Sequence, residues 1–177
     1  MSLLRLILLT LFTPREGFPA LRNNSGAVHS AWLTIVPTII IFIIQSAQAG
    51  AANAPHLTTL GFSLISQLGS MIVFGALLNV IADAMAKGTM SDALPRALPI
   101  AMLPQSVGVA FLVAYEQIPV VRTLNMVMLL WTIYLLTVMV AEYKSFSTLR
   151  AFASVVATYV TVVVSFTLIS YVWRRYF

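Results

Sequence analysis

Gln67, Met71, Gly75, Asn79, Asp83 and Lys87 recur at four-residue steps through an otherwise apolar stretch of the chain. Residues four apart drift by only about 40° per step on a helix, so Gly75, Asn79 and Asp83 share one stripe. A carboxylate one turn from a carboxamide can hold an ion or pass a proton, and hydroxyls of another helix, Thr161 and Ser165, could complete such a site. The competing reading is a packing seam. In that reading Gly75 and Ser70 admit a close neighbour, Asn79 bonds across to it, and Asp83 pairs at headgroup level with Lys87 or Arg96 or makes a helix–helix hydrogen bond. A carboxylate at the centre of a bilayer costs about 2.5–3.5 kcal/mol, and Asp83 lies near the end of its apolar stretch, where that cost falls. One polar stripe with a single acid is thin material for a transport path. Gln67, Gly75, Asn79, Asp83, Thr161 and Ser165 are therefore expected to form an intramembrane polar or packing site, with the seam preferred.

Other chemistry finds little support. An intramembrane protease needs a Ser or Asp nucleophile with a base or second carboxylate at membrane depth. The two histidines, His29 and His56, fall at the ends of apolar runs, and neither His-Glu-x-x-His nor Gly-x-Ser-x-Gly occurs. Asp83, Asp92, Glu116 and Glu142 are scattered over different segments, and there is no cysteine for a thiolate site. With no phosphate-binding glycine loop, nucleotide binding is not expected either. The chain is read as a non-enzyme without metal or cofactor.

Composition says where such residues must sit. The 177 residues are 60 % hydrophobic and only 8 % charged, with mean hydropathy +0.95. Soluble domains carry about 25 % charged residues, so this chain lacks the polar surface to cover itself in water. It reads as an integral membrane protein. The net charge of +5 fits topology signalling and anionic lipid contact rather than nucleic acid, since no basic run with interleaved aromatics exists.

The elements follow from apolar runs and their breaks. Residues 1–12 would make a helix of about 18 Å, too short for a core of about 30 Å, and are expected to be interfacial or packed on a partner. Thr13-Pro14-Arg15-Glu16 reads as a helix start, with Thr as cap and Glu reaching back, and Pro19 keeps that helix short or kinked. Apolar spans are expected at about 28–46, 58–86, 98–115, 120–141 and 149–172. Pro37 kinks the first, and Pro99 and Pro104 make the third the least regular. Span five carries Ser154, Thr158, Thr161 and Ser165, hydroxyls that either line a path or bond back to their own helix, the second being preferred. The expected architecture is an all-α, polytopic transmembrane bundle of about five spans with a short amino-terminal interfacial helix, divided as residues 1–27 and 28–177. Arg5, Arg15, Arg22, Lys87, Arg96, Lys144 and Arg150 would lie on the amino-terminal side, seven basic residues against three, Arg122, Arg174 and Arg175, on the other. The positive-inside rule then places the amino terminus in the cytoplasm.

Four stretches of the chain resemble the Yip family of five-span membrane proteins in its bacterial inner-membrane branch. They are Pro14-Arg15-Glu16-Gly17-Phe18, Ala82-Asp83-Ala84-Met85-Ala86-Lys87-Gly88, Pro104 within span three, and Tyr143-Lys144-Ser145-Phe146-Ser147. The resemblance implies five spans and a partner-binding, non-catalytic character; for eukaryotic relatives it implies binding of small Rab-type GTPases and membrane traffic. No catalytic residue comes with it. The function expected is that of a scaffold or accessory subunit acting through lateral helix contacts with membrane lipids and other integral membrane proteins. The alternative is a small channel or transporter using Asn79 and Asp83.

Overall fold

The computed structural model describes residues 3–23, 36, 39–40, 42–44, 57–86, 94–114 and 118–176. The elements among them are all helices: α1 (Leu3–Phe12), α2 (Pro14–Arg22), α3 (Leu57–Ala86), α4 (Leu94–Ala114), α5 (Pro119–Lys144) and α6 (Thr148–Tyr176). Three stretches of them, Leu64–Met85, Pro119–Lys144 and Thr148–Arg175, are long and apolar enough to cross a membrane, and α4 has a shorter apolar section, Ala97–Val109. The all-α membrane bundle read from the sequence is therefore found, with these spans close to their expected limits. Helices α5 and α6 run past the expected limits of 141 and 172 to Lys144 and Tyr176, because backbone polar groups near lipid are best satisfied within a helix. Most of the expected first span, 28–46, lies outside the described residues, as does Lys87.

Local chemistry explains two features. Helix α4 stays continuous through Pro99 and Pro104. Beside Pro104, which has no N–H of its own, the Gln105 N–H donates to the buried Thr132 hydroxyl of α5 at 3.0 Å. Between α1 and α2 the capping reading needs correction: Pro14 does open α2, but Thr13 makes no side-chain cap. Its hydroxyl donates back to the Leu9 carbonyl at 3.0 Å, and its own carbonyl takes the Glu16 and Gly17 N–H groups. The chain leaves α1 only at Thr13, so the hydroxyl is still within reach of the preceding turn.

Helices α4 and α5 share the most extensive interface; α3 packs on α4 and α6, α5 on α6, α2 on α5, and α1 on α2 and α4. The core they enclose includes Leu6, Phe18, Leu21, Leu78, Leu98, Ile100, Leu135, Met139 and Val155. Short connections make α3 to α6 alternate in direction. The carboxy ends of α3 and α5 thus meet the amino ends of α4 and α6 at one end of the bundle, called here the Lys144 end.

Candidate functional site

The polar stripe of α3 leads to that end. Gly75 is buried against α4, where an added Cβ would come within 2.7 Å of Leu98 Cδ2. One turn on, Asn79 buries its Oδ1 without a hydrogen-bond partner. One turn further, Asp83 accepts a hydrogen bond from Lys144 Nζ at 2.5 Å, the lysine side chain being 0 % and the aspartate 21 % exposed. An anion near the carboxy end of a helix meets the unfavourable end of its dipole. Lys144, in the last turn of α5, compensates it while facing the favourable end of its own helix. The sequence offered Lys87 or Arg96, or a helix–helix hydrogen bond; Lys87 and the Arg96 side chain lie outside the described residues, and the structure shows Lys144 as a partner, brought in by the antiparallel return of α5.

The adjoining residues tie the other elements to this pair. Tyr143 donates its hydroxyl to the Phe18 carbonyl of α2 at 3.2 Å, and its ring meets that of Phe18 edge-on at 6.2 Å. Beyond Lys144, Ser145 takes the left-handed conformation at φ 53°, and the Phe146 N–H closes the helix on the Ala141 carbonyl at 3.0 Å. On α6, the buried Ser154 hydroxyl lies 3.0 Å from Met85 Sδ of α3 and bonds back to the Arg150 carbonyl. Three of the stretches that carry the family resemblance thus converge: Phe18 from the first, Asp83 and Met85 from the second, Tyr143 and Lys144 from the last.

A second polar layer lies near mid-bundle. The Tyr159 hydroxyl of α6 donates to Gln105 Oε1 at 3.1 Å while its ring packs edge-on against Phe74 at 5.0 Å. Tyr159→Phe keeps the ring contact and removes the hydrogen bond, so thermal unfolding in mild detergent should show a loss of about 1 kcal/mol.

The remaining sequence candidates fall elsewhere. The Gln67 carbonyl accepts from Ser70 on its own helix at 2.9 Å. Thr161 and Ser165 are exposed on α6, and Thr161 bonds back to the Ala157 carbonyl. The hydroxyls of α6 that are buried are Ser154 and Thr158, the latter bonding back to the Ser154 carbonyl. The structure therefore unites Gly75, Asn79 and Asp83 along α3 and leaves Thr161 and Ser165 on an outer face. Lys144 was missed as a site residue. The available signal was a basic residue just beyond the end of one apolar span and an acid in the final turn of another, predicted to share an end. Among the described residues no group of three or more His, Cys, Asp or Glu side chains could hold a metal.

Comparison with known proteins supplies the family. No curated protein and no solved structure matches the chain. A family model described as the Yip1 domain matches residues 8–170, a stretch that takes in the corner between α1 and α2, the Asp83–Lys144 pair and most of α6. This integral membrane protein belongs to the Yip1 domain family.

Proposed function

We propose that the protein is a non-enzymatic scaffold or accessory subunit of a larger membrane assembly, acting through lateral helix contacts. In this reading it has five spans, sits in a bacterial inner membrane and keeps its amino terminus in the cytoplasm. One observation carries the proposal: the side chains along the outer half of α6 are exposed on every side of the helix. From Val163 to Arg175 every side chain is exposed, among them Phe166, Leu168, Ile169 and Val172. Helices in membranes associate through packing and interhelical hydrogen bonds, and this half-helix offers apolar and aromatic groups on all sides.

The chain has no cysteine, so Phe166→Cys or Leu168→Cys places a single cross-linker on this surface. The expected result is an adduct to an integral membrane protein that also co-purifies at fixed stoichiometry in mild detergent. A monodisperse monomer without adduct or companion, under several extraction conditions, rejects the reading. Transport is the second reading, favoured by the buried Asn79 Oδ1 one turn from Asp83. It requires ion- or pH-dependent flux in liposomes that Asp83→Asn abolishes; no flux from the wild type ends it.

A further inference from the structure

Helix α1 is apolar around nearly its whole circumference, its ten residues including only Arg5 and Thr10 as polar side chains. Leu6, Ile7 and Thr10 are buried against the bundle, whereas Leu4, Leu8 and Phe12 on the opposite side are 67, 46 and 68 % exposed. A helix that is apolar all round belongs in an apolar medium. Its ten residues rise about 15 Å, half of a hydrocarbon core of about 30 Å, so α1 can occupy one leaflet but not two.

Two ring contacts set its depth. Phe12 meets Trp131 edge-on at 6.0 Å, and Trp131 lies near the middle of the 26-residue α5. Phe18, on α2, meets Tyr143 at the Lys144 end. The corner at Thr13 is thus sunk alongside α5, and α2 leads back toward the surface. Arg15, Glu16 and Arg22 are exposed on α2; Arg22 ends the helix at headgroup level, and the long Arg15 stem lets its charge snorkel toward that level from beside the corner. The same charges prevent deeper entry.

We propose that the α1–α2 hairpin is a wedge in one leaflet, the one at the Lys144 end, with acyl chains covering its Leu4–Leu8–Phe12 face. Spanning helices take equal area from both leaflets. Among the described residues, two further helices, each about 10 Å across, widen the protein on that side only. The protein then favours membrane in which that leaflet is convex, as shallowly inserted helices do. No partner protein is needed, so this inference can fail or stand independently of the scaffold reading.

The cysteine-free chain allows spin labels at single cysteines, Leu8→Cys and Arg22→Cys, in the full-length protein in liposomes. The Leu8 label should collide with oxygen and be shielded from a water-soluble nickel complex, and the Arg22 label, at the surface end of α2, should report headgroup depth. Equal aqueous exposure at the two positions overturns the proposal. Membrane tubes pulled from giant vesicles then test the shape preference. Protein inserted with its Lys144 end outward should be enriched in the tube relative to a lipid dye, and protein inserted the other way depleted. Leu4→Lys/Leu8→Lys should bring both ratios toward one. The wild-type reversal decides the matter even where that variant misfolds, and identical ratios in both orientations refute the wedge.

Discussion

Replacing Lys144 with methionine should destabilise the protein by about 3 kcal/mol, at the low end of the range for breaking a buried ion pair. The methionine keeps most of the stem's volume, so packing within the last turn of α5 is largely preserved. What is lost is the cation facing Asp83, a carboxylate only 21 % exposed and set near the unfavourable end of the α3 dipole. Its residual exposure is the reason for choosing the low end. Asp83→Asn in the Lys144→Met background removes the orphaned charge and should restore more than half of the loss. A double-mutant cycle read by thermal unfolding in mild detergent measures this coupling directly. Additive losses from the two substitutions would show that the pair contributes nothing beyond its separate side chains. A coupled pair would mean that the carboxy ends of α3 and α5 are pinned electrostatically, with Tyr143 and Phe18 carrying the restraint on to α2.

How much of this was readable in the chain depends on the range of the interaction concerned. Helices α3, α5 and α6 were legible because an apolar run between polar breaks is a local property. So was the alignment of Gly75, Asn79 and Asp83, which needs only the helical repeat. The partner of Asp83 was not, because Lys144 lies 61 residues further on and only the packing of α3 beside α5 brings it within reach. The same holds for Tyr143 on Phe18 and Tyr159 on Gln105. Thr161 and Ser165 illustrate another limit. Their spacing from Ser154 and Thr158 places hydroxyls along α6, but spacing does not say how far along a 29-residue helix the neighbours extend. Every side chain from Val163 to Arg175 is exposed, whereas Ser154 and Thr158 lie where α6 packs on its neighbours and are buried.

The corner between α1 and α2 makes the sharpest steric prediction. Gly17→Ala should cost about 3 kcal/mol or more, at or beyond the usual upper range for overpacking. An alanine Cβ there would lie 2.3 Å from Thr10 Cα and 2.6 Å from Thr10 N. Both are backbone atoms of a helix, so no rotamer change can relieve the clash and the two helices must move apart. Separation would loosen Leu6, Phe18 and Leu21, which are buried together with the corner, and would weaken the Tyr143 bond to the Phe18 carbonyl. Gly75→Ala is the control, since its added methyl meets only Leu98 Cδ2, the tip of a flexible side chain, at 2.7 Å. Alanine also gains about 1 kcal/mol of helix propensity over glycine, so Gly75→Ala should stay within about 1 kcal/mol of the wild type. Gly69→Ala, with nothing within 4 Å of the new methyl, should be neutral or slightly stabilising. Thermal unfolding should therefore rank Gly69→Ala at or above the wild type, Gly75→Ala close to it and Gly17→Ala far below. A Gly17→Ala protein as stable as Gly75→Ala would mean that α1 does not cross α2 at Thr10, and the seat that holds α1 against the bundle would have to lie elsewhere.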